Sequence, residues 1–406
     1  MRKGNEHRPP VVVVGCDAAL SIIRSLGRKD IRVIVINQNL LDYGTKSKYC
    51  SVKLCKKIYD KPLIEILTKD VAQKLWGKAV LFGGTDKSVL TISKYEKELY
   101  PYFNFVAPSY DIANKIISKK LFYKFAMEND FLTPPTYFSH SMEDIEKIAQ
   151  SISFPCIIKP EFRTSYWYRT VPTKVLYAET EKVFYRHFRE FPIENCSLII
   201  QEWIEGDDHD VFFCLTYINR GSKPLAVFTG RKIRQYPVLT GSTSFAESIW
   251  IPSIADESIR LLKKSGCIGF CSVEFKRSKE DQRFYVIEPT VGRPDTQEGI
   301  SVSSGMDIPY VAYLDAIGEN PEPLNHFKEG IKWINEPIDF YSIQSYLKNK
   351  NSSFKKLAVS YKGKRAYALW AIDDPLPFLS FARDKLFKGI GRLTSKIITG
   401  SRNDKS

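Results

Sequence analysis

Residues 154–160 read Phe-Pro-Cys-Ile-Ile-Lys-Pro. Proline removes a backbone donor and the residue before it avoids the helical region, while paired isoleucines favour a pleated surface. The segment therefore reads as a short buried strand that ends at Lys159. An ammonium is costly to bury without a partner, so Lys159 calls for an anion at the end of that strand. Working outward, Ser197 to Ile204 is a second apolar strand ending in Gln201-Glu202-Trp203-Ile204, and an acidic turn from Glu205 to Asp210 follows it. Alternating strands are expected at Val211 to Tyr217 and Leu225 to Thr229, with a helix around Ser253 to Ser265. Two later strands, Cys271 to Lys276 and Phe284 to Glu288, each carry a carboxylate, Glu274 and Glu288. Upstream, a helix from Asp111 to Glu128 holds Lys119 and leads into the extended connector Thr133-Pro134-Pro135-Thr136. Hairpin-like strands with helices between them indicate an α+β unit.

The chain before it has a different rhythm. Val11-Val12-Val13-Val14 runs into Gly15, an amphipathic stretch from Ala18 to Leu26 follows, and Ile31 to Ile36 resembles a second strand. A third strand, Ala79 to Phe82, runs into Gly83-Gly84-Thr85-Asp86, and Phe105-Val106-Ala107 is a fourth candidate. Continuous apolar runs alternating with helical periodicity imply a parallel sheet covered on both faces. Ligands favour the carboxyl ends of such strands, which makes the Gly83 to Asp86 turn a candidate substrate mouth as well as an ordinary strand-to-helix turn. A nicotinamide site is excluded: Gly15-Cys16-Asp17-Ala18 is no GxGxxG, and the second strand ends in Asn37 where an acid would hold the ribose.

Beyond about Lys328, short strands are expected at Trp333 to Tyr341 and Lys364 to Ile372 around a basic helix. The stretch Phe378 to Ile398 is amphipathic, with Leu379, Leu386, Phe387, Ile390 and Leu393 set against Arg383, Lys385, Lys388, Arg392 and Lys396. Such a helix docks on its own domain or lies on an anionic membrane surface.

With 406 residues, 43% hydrophobic and 26% charged, the chain is too apolar for disorder and long enough for two or three packed units. It has no run of about 20 apolar residues and so no membrane span, and its basic start lacks a signal-peptide core; a cytoplasmic location is expected. Its formal charge of +14 attracts polyanions such as nucleotides, nucleic acid or acidic lipid. The eight cysteines show no CxxC spacing, and five histidines without HExxH argue against a zinc hydrolase.

Three stretches together resemble the ATP-grasp superfamily, in the carboxylate–amine ligase-like branch related to the large chain of carbamoyl-phosphate synthase. They are Phe-Pro-Cys-Ile-Ile-Lys-Pro at 154–160, Thr-Gly-Arg-Lys-Ile-Arg-Gln-Tyr-Pro at 229–237 and Val-Ile-Glu-Pro-Thr-Val-Gly-Arg-Pro at 286–294. The resemblance runs from about Val11 to about Gly318. It implies an ATP-grasp fold, combining α/β and α+β parts: an N-terminal parallel-sheet (pre-ATP-grasp) domain over 1–110, an ATP-grasp domain over 111–320, and a small C-terminal extension over 321–406. The small lobe would span about 135–205 and the large lobe about 206–320.

The resemblance also assigns roles. Lys119 and Lys159 would bind nucleotide phosphates as point charges. Gln201, Glu202, Trp203 and Ile204 would line the adenine slot, with Asp208 or Asp210 on the ribose. Glu274 and Glu288 would hold magnesium, or manganese in its place, since hard cations take carboxylate oxygens and phosphates. Lys232 and Arg293, and Arg231 beside them, would stabilise charge on the transferred phosphoryl group. Two departures stand out. The family's usual Glu-x-Asn-x-Arg becomes Glu288-Pro-Thr290-Val-Gly-Arg293, and the loop Glu161 to Thr173 has no glycine. The expected function is ATP-dependent joining of a small-molecule carboxylate to an amine through an acyl phosphate, with the chain acting as a homodimer and binding no nucleic acid. A catalytically silent ATP-binding module and a polyanion or membrane-surface binder are the alternatives.

Overall fold

The computed structural model describes residues 8–16, 18–161, 165–171, 173–193, 196–348 and 354–386. Three sheets organise them. The first is parallel and five-stranded, in the order β3-β2-β1-β4-β5, built from β1 (Val11–Val14), β2 (Val33–Asn37), β3 (Cys50–Leu54), β4 (Ala79–Gly83) and β5 (Phe103–Asn104). All four valines of β1 are fully buried, as an interior strand covered on both faces requires. The order reverses at the β1/β4 boundary, so the turns after Val14 and Gly83 open side by side. β3 was not foreseen from the sequence; its Cys-Ser-Val-Lys-Leu is only half-buried at the sheet edge and carries little apolar signal. The fourth expected strand lies two residues earlier, at Phe103–Asn104.

The second sheet has four strands in the order β6-β9-β7-β8: β6 (Thr136–Ser139), β7 (Cys156–Pro160), β8 (Leu176–Ala178) and β9 (Leu198–Glu202). The third is seven-stranded, in the order β14-β13-β10-β11-β12-β15-β16. Its members are β10 (Val211–Ile218), β11 (Pro224–Tyr236), β12 (Ser242–Ser248), β13 (Gly269–Arg277), β14 (Phe284–Val291), β15 (Lys332–Ile334) and β16 (Arg365–Tyr367). Their pairing is antiparallel up to β15 and parallel between β15 and β16.

Two sequence expectations change here. The helix read as Asp111 to Glu128 is two, Tyr110–Ile117 and Lys119–Glu128, broken where Ser118 turns extended and caps the second helix by accepting from the Leu121 N–H. Serine competes with helical backbone bonding and suits such an N-terminal position. Within the segment after 321, β15 and β16 join the large sheet, and the chain from Glu336 on is a helix, Glu336–Lys348, in place of the strand expected to Tyr341. Of the amphipathic stretch Phe378 to Ile398, helix is present over residues 376–386, and 387–398 lie outside the described residues.

Candidate active site

A cleft lies between the four-stranded and seven-stranded sheets. It comprises two adjoining cavities of about 150 and 250 Å³ that share Lys119, Lys174, Lys232, Thr240, Gly241, Glu274, Ile287 and Glu288 as walls. A larger cavity of about 430 Å³ sits elsewhere, between the helix Leu20–Gly27 and β16. Its described lining holds no carboxylate, and Arg24 and Arg28 there are already ion-paired with Asp374 and Asp373. The carboxylates and lysines singled out in the sequence line the smaller pair.

The 150 Å³ cavity is the flat, mainly apolar end. Ile157, Val175, Trp203, Ile204 and Val211 line it, with Gln201 and Lys159 at the β7–β9 side. Lys159 is 7% exposed and donates to Gln201 Oε1 at 3.0 Å and to the Tyr123 hydroxyl at 3.4 Å. Gln201 in turn donates to Thr136 Oγ1 at 2.7 Å, and Tyr123 to the Ile287 carbonyl at 2.6 Å. These hydrogen bonds fix the ammonium at the wall of the cavity. Burial pushes the Tyr123 hydroxyl up to about 12, so it stays a neutral donor. Glu202 lines the cavity, while its carboxylate accepts from the Ser153 N–H.

At the other end, Glu274 on β13 and Glu288 on β14 are direct cross-strand partners in the antiparallel register. Like charges placed opposite one another repel. Here cations meet both: Lys232, 4% exposed, is ion-paired with Glu274, and Lys119 lies 3.8 Å from Glu288. Burial raises the Glu274 pKa, and the Lys232 ammonium works against that rise. Two carboxylates on one face, opening into a polar cavity, fit a hard divalent cation that completes its shell with phosphate oxygens. Among the described residues no cluster of three or more His, Cys, Asp or Glu side chains could hold a metal alone.

The 250 Å³ cavity extends to the parallel sheet. Arg293 donates to Asp86 Oδ1 at 2.5 Å, tying the segment after β14 to the turn after β4; Thr290, Asp295 and Gln297 complete that end. Gly83-Gly84-Thr85-Asp86 therefore ends at the cleft, where Asp86 lines the cavity, and Thr85 caps the helix Asp86–Lys94 as an ordinary strand-to-helix turn does.

Lys119, Lys159, Gln201, Glu202, Trp203, Ile204, Lys232, Glu274, Glu288 and Arg293 thus come together around one cleft. Three candidates do not. Arg231 precedes Lys232 on the same strand, so its side chain leaves the opposite face, where it pairs with its cross-strand partner Glu247 at 3.0 Å. Asp208 lines neither cavity; it is 1% exposed and accepts from the Gln235 N–H, Gln235 Nε2, the Leu239 N–H and the Tyr346 hydroxyl. Asp210 accepts from Arg277 at 2.8 Å and from the Asp207 N–H at 2.9 Å. Burial acts to raise its pKa, and the Arg277 guanidinium outweighs that, holding the carboxyl below its usual range. Both acids are bonded within and around the turn, and neither lines either cavity.

Two lysines were missed. Lys174 lines both cavities and donates to Ser242 Oγ at 3.3 Å. Lys276 lines the apolar end, donates to the Asp207 carbonyl at 2.7 Å and lies 5.8 Å from the Trp203 ring. Burial lowers its pKa to about 8. Strand alternation carried the signal, because Lys276 follows Glu274 by two residues and shares its face. Lys174, one residue past the glycine-free loop, had none.

No family model matches the chain. The carbamoyl phosphate synthase large chain of Pyrococcus furiosus is 23% identical over 330 residues, covering 76% of this chain and 29% of that protein. That of Saccharolobus solfataricus is 19% identical over 73% of this chain and 28% of its own length. The chain thus spans under a third of these relatives. Among solved structures, N5-carboxyaminoimidazole synthetase from Staphylococcus aureus complexed with ADP superposes with a TM-score of 0.60 at 12% identity, covering 84% of this chain and 96% of that one. Biotin carboxylase from Campylobacter jejuni, in an ATP-analogue complex, gives 0.59 at 15% identity over 81% and 75%. The L-amino acid ligase of Bacillus licheniformis gives 0.59 at 13% over 77% and 76%. By these likenesses and its three-sheet architecture, the chain has the ATP-grasp fold and is related in sequence to carbamoyl phosphate synthase large chains.

Proposed function

We propose that the chain is a ligase that uses magnesium-ATP to activate a small carboxylic acid and join it to an amine. One observation carries the reading: lysines from separate elements (Lys119, Lys159, Lys174, Lys232) and the cross-strand pair Glu274 and Glu288 surround one cleft that is apolar at one end and polar at the other. The apolar end, between Ile157, Val175, Trp203 and Ile204, takes the purine. Lys159 and Lys119 neutralise phosphate oxygens as fixed point charges, so little reorganisation is needed as charge moves during transfer. Magnesium, when held by Glu274 and Glu288, supplies further neutralisation of phosphate charge.

The acid enters from the polar cavity, where Arg293, held by Asp86, presents a planar cation to a carboxylate. Its oxygen attacks the terminal phosphorus, the bond to ADP breaks, and an acyl phosphate forms. The amine then attacks the acyl carbon, phosphate leaves with the bonding electrons, and the nitrogen gives up a proton. Lys232 lies where charge on the transferred group develops. Names borne by structural neighbours with this fold, among them an L-amino acid ligase and a biotin carboxylase, support ligation as the reaction class.

The test is phosphate release from magnesium-ATP in the presence of a panel of amino acids and other small acids, comparing wild type with Glu288→Gln. Turnover should fall by ~100-fold or more in the variant. Equal rates would sink the carboxylate assignment, and nucleotide binding without turnover across the panel would favour a silent ATP-binding module.

A further inference from the structure

Lys232 and Gln235 lie three positions apart on β11. In a regular strand, side chains at that spacing leave opposite faces. Here they meet, Lys232 Nζ donating to Gln235 Oε1 at 3.3 Å. The pairing of β11 with β12 explains it. Lys232 faces Ala246 and Arg234 faces Phe245, so two steps on β11 match one on β12, and the register shifts again before Gln235 faces Thr243. An irregularity of this kind re-aims side chains. Gln235 joins the face of Lys232, while Arg234 is turned to Asp339, with which it pairs at 2.9 Å.

The Gln235 amide is held in one sense. Its Nε2 donates to Asp208 Oδ1 at 2.7 Å, and because a carboxylate only accepts, the carbonyl end must be the one that meets the ammonium. Asp208 is fixed in turn by the N–H groups of Gln235 and Leu239, at 3.1 and 2.9 Å, and by the Tyr346 hydroxyl from the helix Glu336–Lys348. Asp208, Gln235 and Lys232 are all buried, so none of the three can exchange its partner for bulk water.

We propose that Gln235 is a positioning residue for Lys232, its amide oriented by Asp208 and Tyr346 so that the ammonium stays aimed at the phosphate end of the cleft. The proposal rests on the ligase reading, in which Lys232 meets the transferred phosphoryl group. Two acceptors hold that ammonium, Glu274 on β13 and Gln235 on β11. Without the second, a flexible side chain regains rotamers, and a misplacement of ~1 Å can lower a rate by ~100-fold. Gln235 also lines the 150 Å³ cavity, so direct contact with the nucleotide is the competing account. Tyr346 and Asp208 line neither cavity and can act only through Gln235 or the loop at Leu239.

A double-mutant cycle in the full chain separates the two accounts. Gln235→Met and Tyr346→Phe are each made alone and combined with Lys232→Met, and phosphate release is followed with magnesium-ATP and an acid that supports turnover. Gln235→Met should lower kcat by ~10-fold and Tyr346→Phe by ~3-fold, with KM for ATP within about twofold, and neither should lower kcat further once Lys232 is replaced. Losses that multiply in the double variants overturn the proposal and give Gln235 a contact of its own. Unchanged kcat with a lowered melting temperature also overturns it, because bracing alone moves only stability. If Gln235→Met does not fold, the Tyr346→Phe cycle decides. Titration calorimetry with magnesium-ADP and aluminium fluoride, a mimic of the transferring group, repeats the cycle without turnover: each substitution should weaken this complex by its own factor and leave ADP alone within about twofold. A wild type that releases no phosphate and whose ADP affinity aluminium fluoride does not raise overturns the ligase reading and the proposal together. Additivity in an active wild type overturns the proposal alone.

Discussion

Glu298 follows the cleft residue Gln297 and is itself 3% exposed, its Oε1 accepting from Ser301 Oγ at 3.3 Å. Burial, with the nearby Asp295 charge, raises its pKa to about 8. The folded protein thus holds this proton more tightly than the unfolded chain does. The resulting stability is complete below the ordinary carboxyl pKa and is lost as pH rises through the folded value near 8. Glu298→Gln keeps the shape and removes the charge, so its melting temperature should exceed that of wild type by a margin that grows between pH 6 and pH 9, corresponding to about 2–3 kcal/mol. A margin independent of pH would mean that Glu298 ionises as freely in the fold as in water. At this scale much of the site was legible. Lys159 and Glu274 interrupt apolar strands, and a charge in such a run demands a partner. Arg231 and Lys232 show where legibility stops. Adjacent strand residues face opposite ways, and only the register decides which one enters the cleft. Asp208 and Asp210, which line neither cavity, make the same point, because a compact acidic turn hides which of its carboxylates are engaged by backbone N–H groups.

The β11–β12 connection forms one wall of the cleft through Leu239, Thr240, Gly241 and Ser242. It folds so tightly that a Cβ on Gly241 would lie 1.9 Å from the Tyr236 carbonyl carbon, a backbone contact that no rotamer change relieves. Asp208 braces the same loop through the Leu239 N–H. Gly241→Ala should therefore open the loop and weaken the proposed ATP binding by about 10-fold, measured by titration calorimetry, at a stability cost of about 1–3 kcal/mol. Gly221→Ala, in the β10–β11 hairpin where a Cβ meets only the Asn219 side chain at 3.4 Å, serves as the control and should bind ATP as wild type does. Elements with a strong period were readable before the structure: the valine run of β1 and the strands bearing Lys159 and Glu274. Those that depend on tertiary pairing were read less well. β3 gave no signal, and β15 and β16, expected as longer strands at Trp333 to Tyr341 and Lys364 to Ile372, are three residues each on an edge that the large sheet offers them. The break at Ser118 was hidden for another reason, since helical periodicity continues on both sides of it and only capping chemistry marks the boundary.

The three sheets hold together through ion pairs as well as packing, and these pairs differ greatly in what they contribute. The helix Leu20–Gly27 of the parallel-sheet unit sends Arg24 into the turn after β16. There it donates to Asp374 Oδ2 at 2.9 Å and to the carbonyls of Ala368, Leu369 and Asp374. Asp374 is fully buried and also accepts from Ser47 Oγ at 2.8 Å and the Lys48 N–H at 2.9 Å. Beside it, Arg28 makes two bonds of 2.8 Å to Asp373, but those side chains are 40% and 34% exposed. The two acids are consecutive in sequence, and the same two units are joined by both pairs. Solvent makes the difference. Water screens the outer pair and rehydrates either partner once the other is removed, which limits its worth to ~1 kcal/mol or less. The inner pair has no such recourse, and removing one charge leaves the other buried without compensation, at ~3–5 kcal/mol. Asp374→Asn should accordingly lower the denaturant midpoint strongly, and Asp373→Asn hardly at all. The chain after β15 both completes the large sheet and carries this pin, so the loss should appear as cooperative destabilisation, with a single transition at lower denaturant. If Asp374→Asn instead gives two transitions, the parallel-sheet unit unfolds independently, and the pin positions that unit against the cleft without stabilising the rest of the chain.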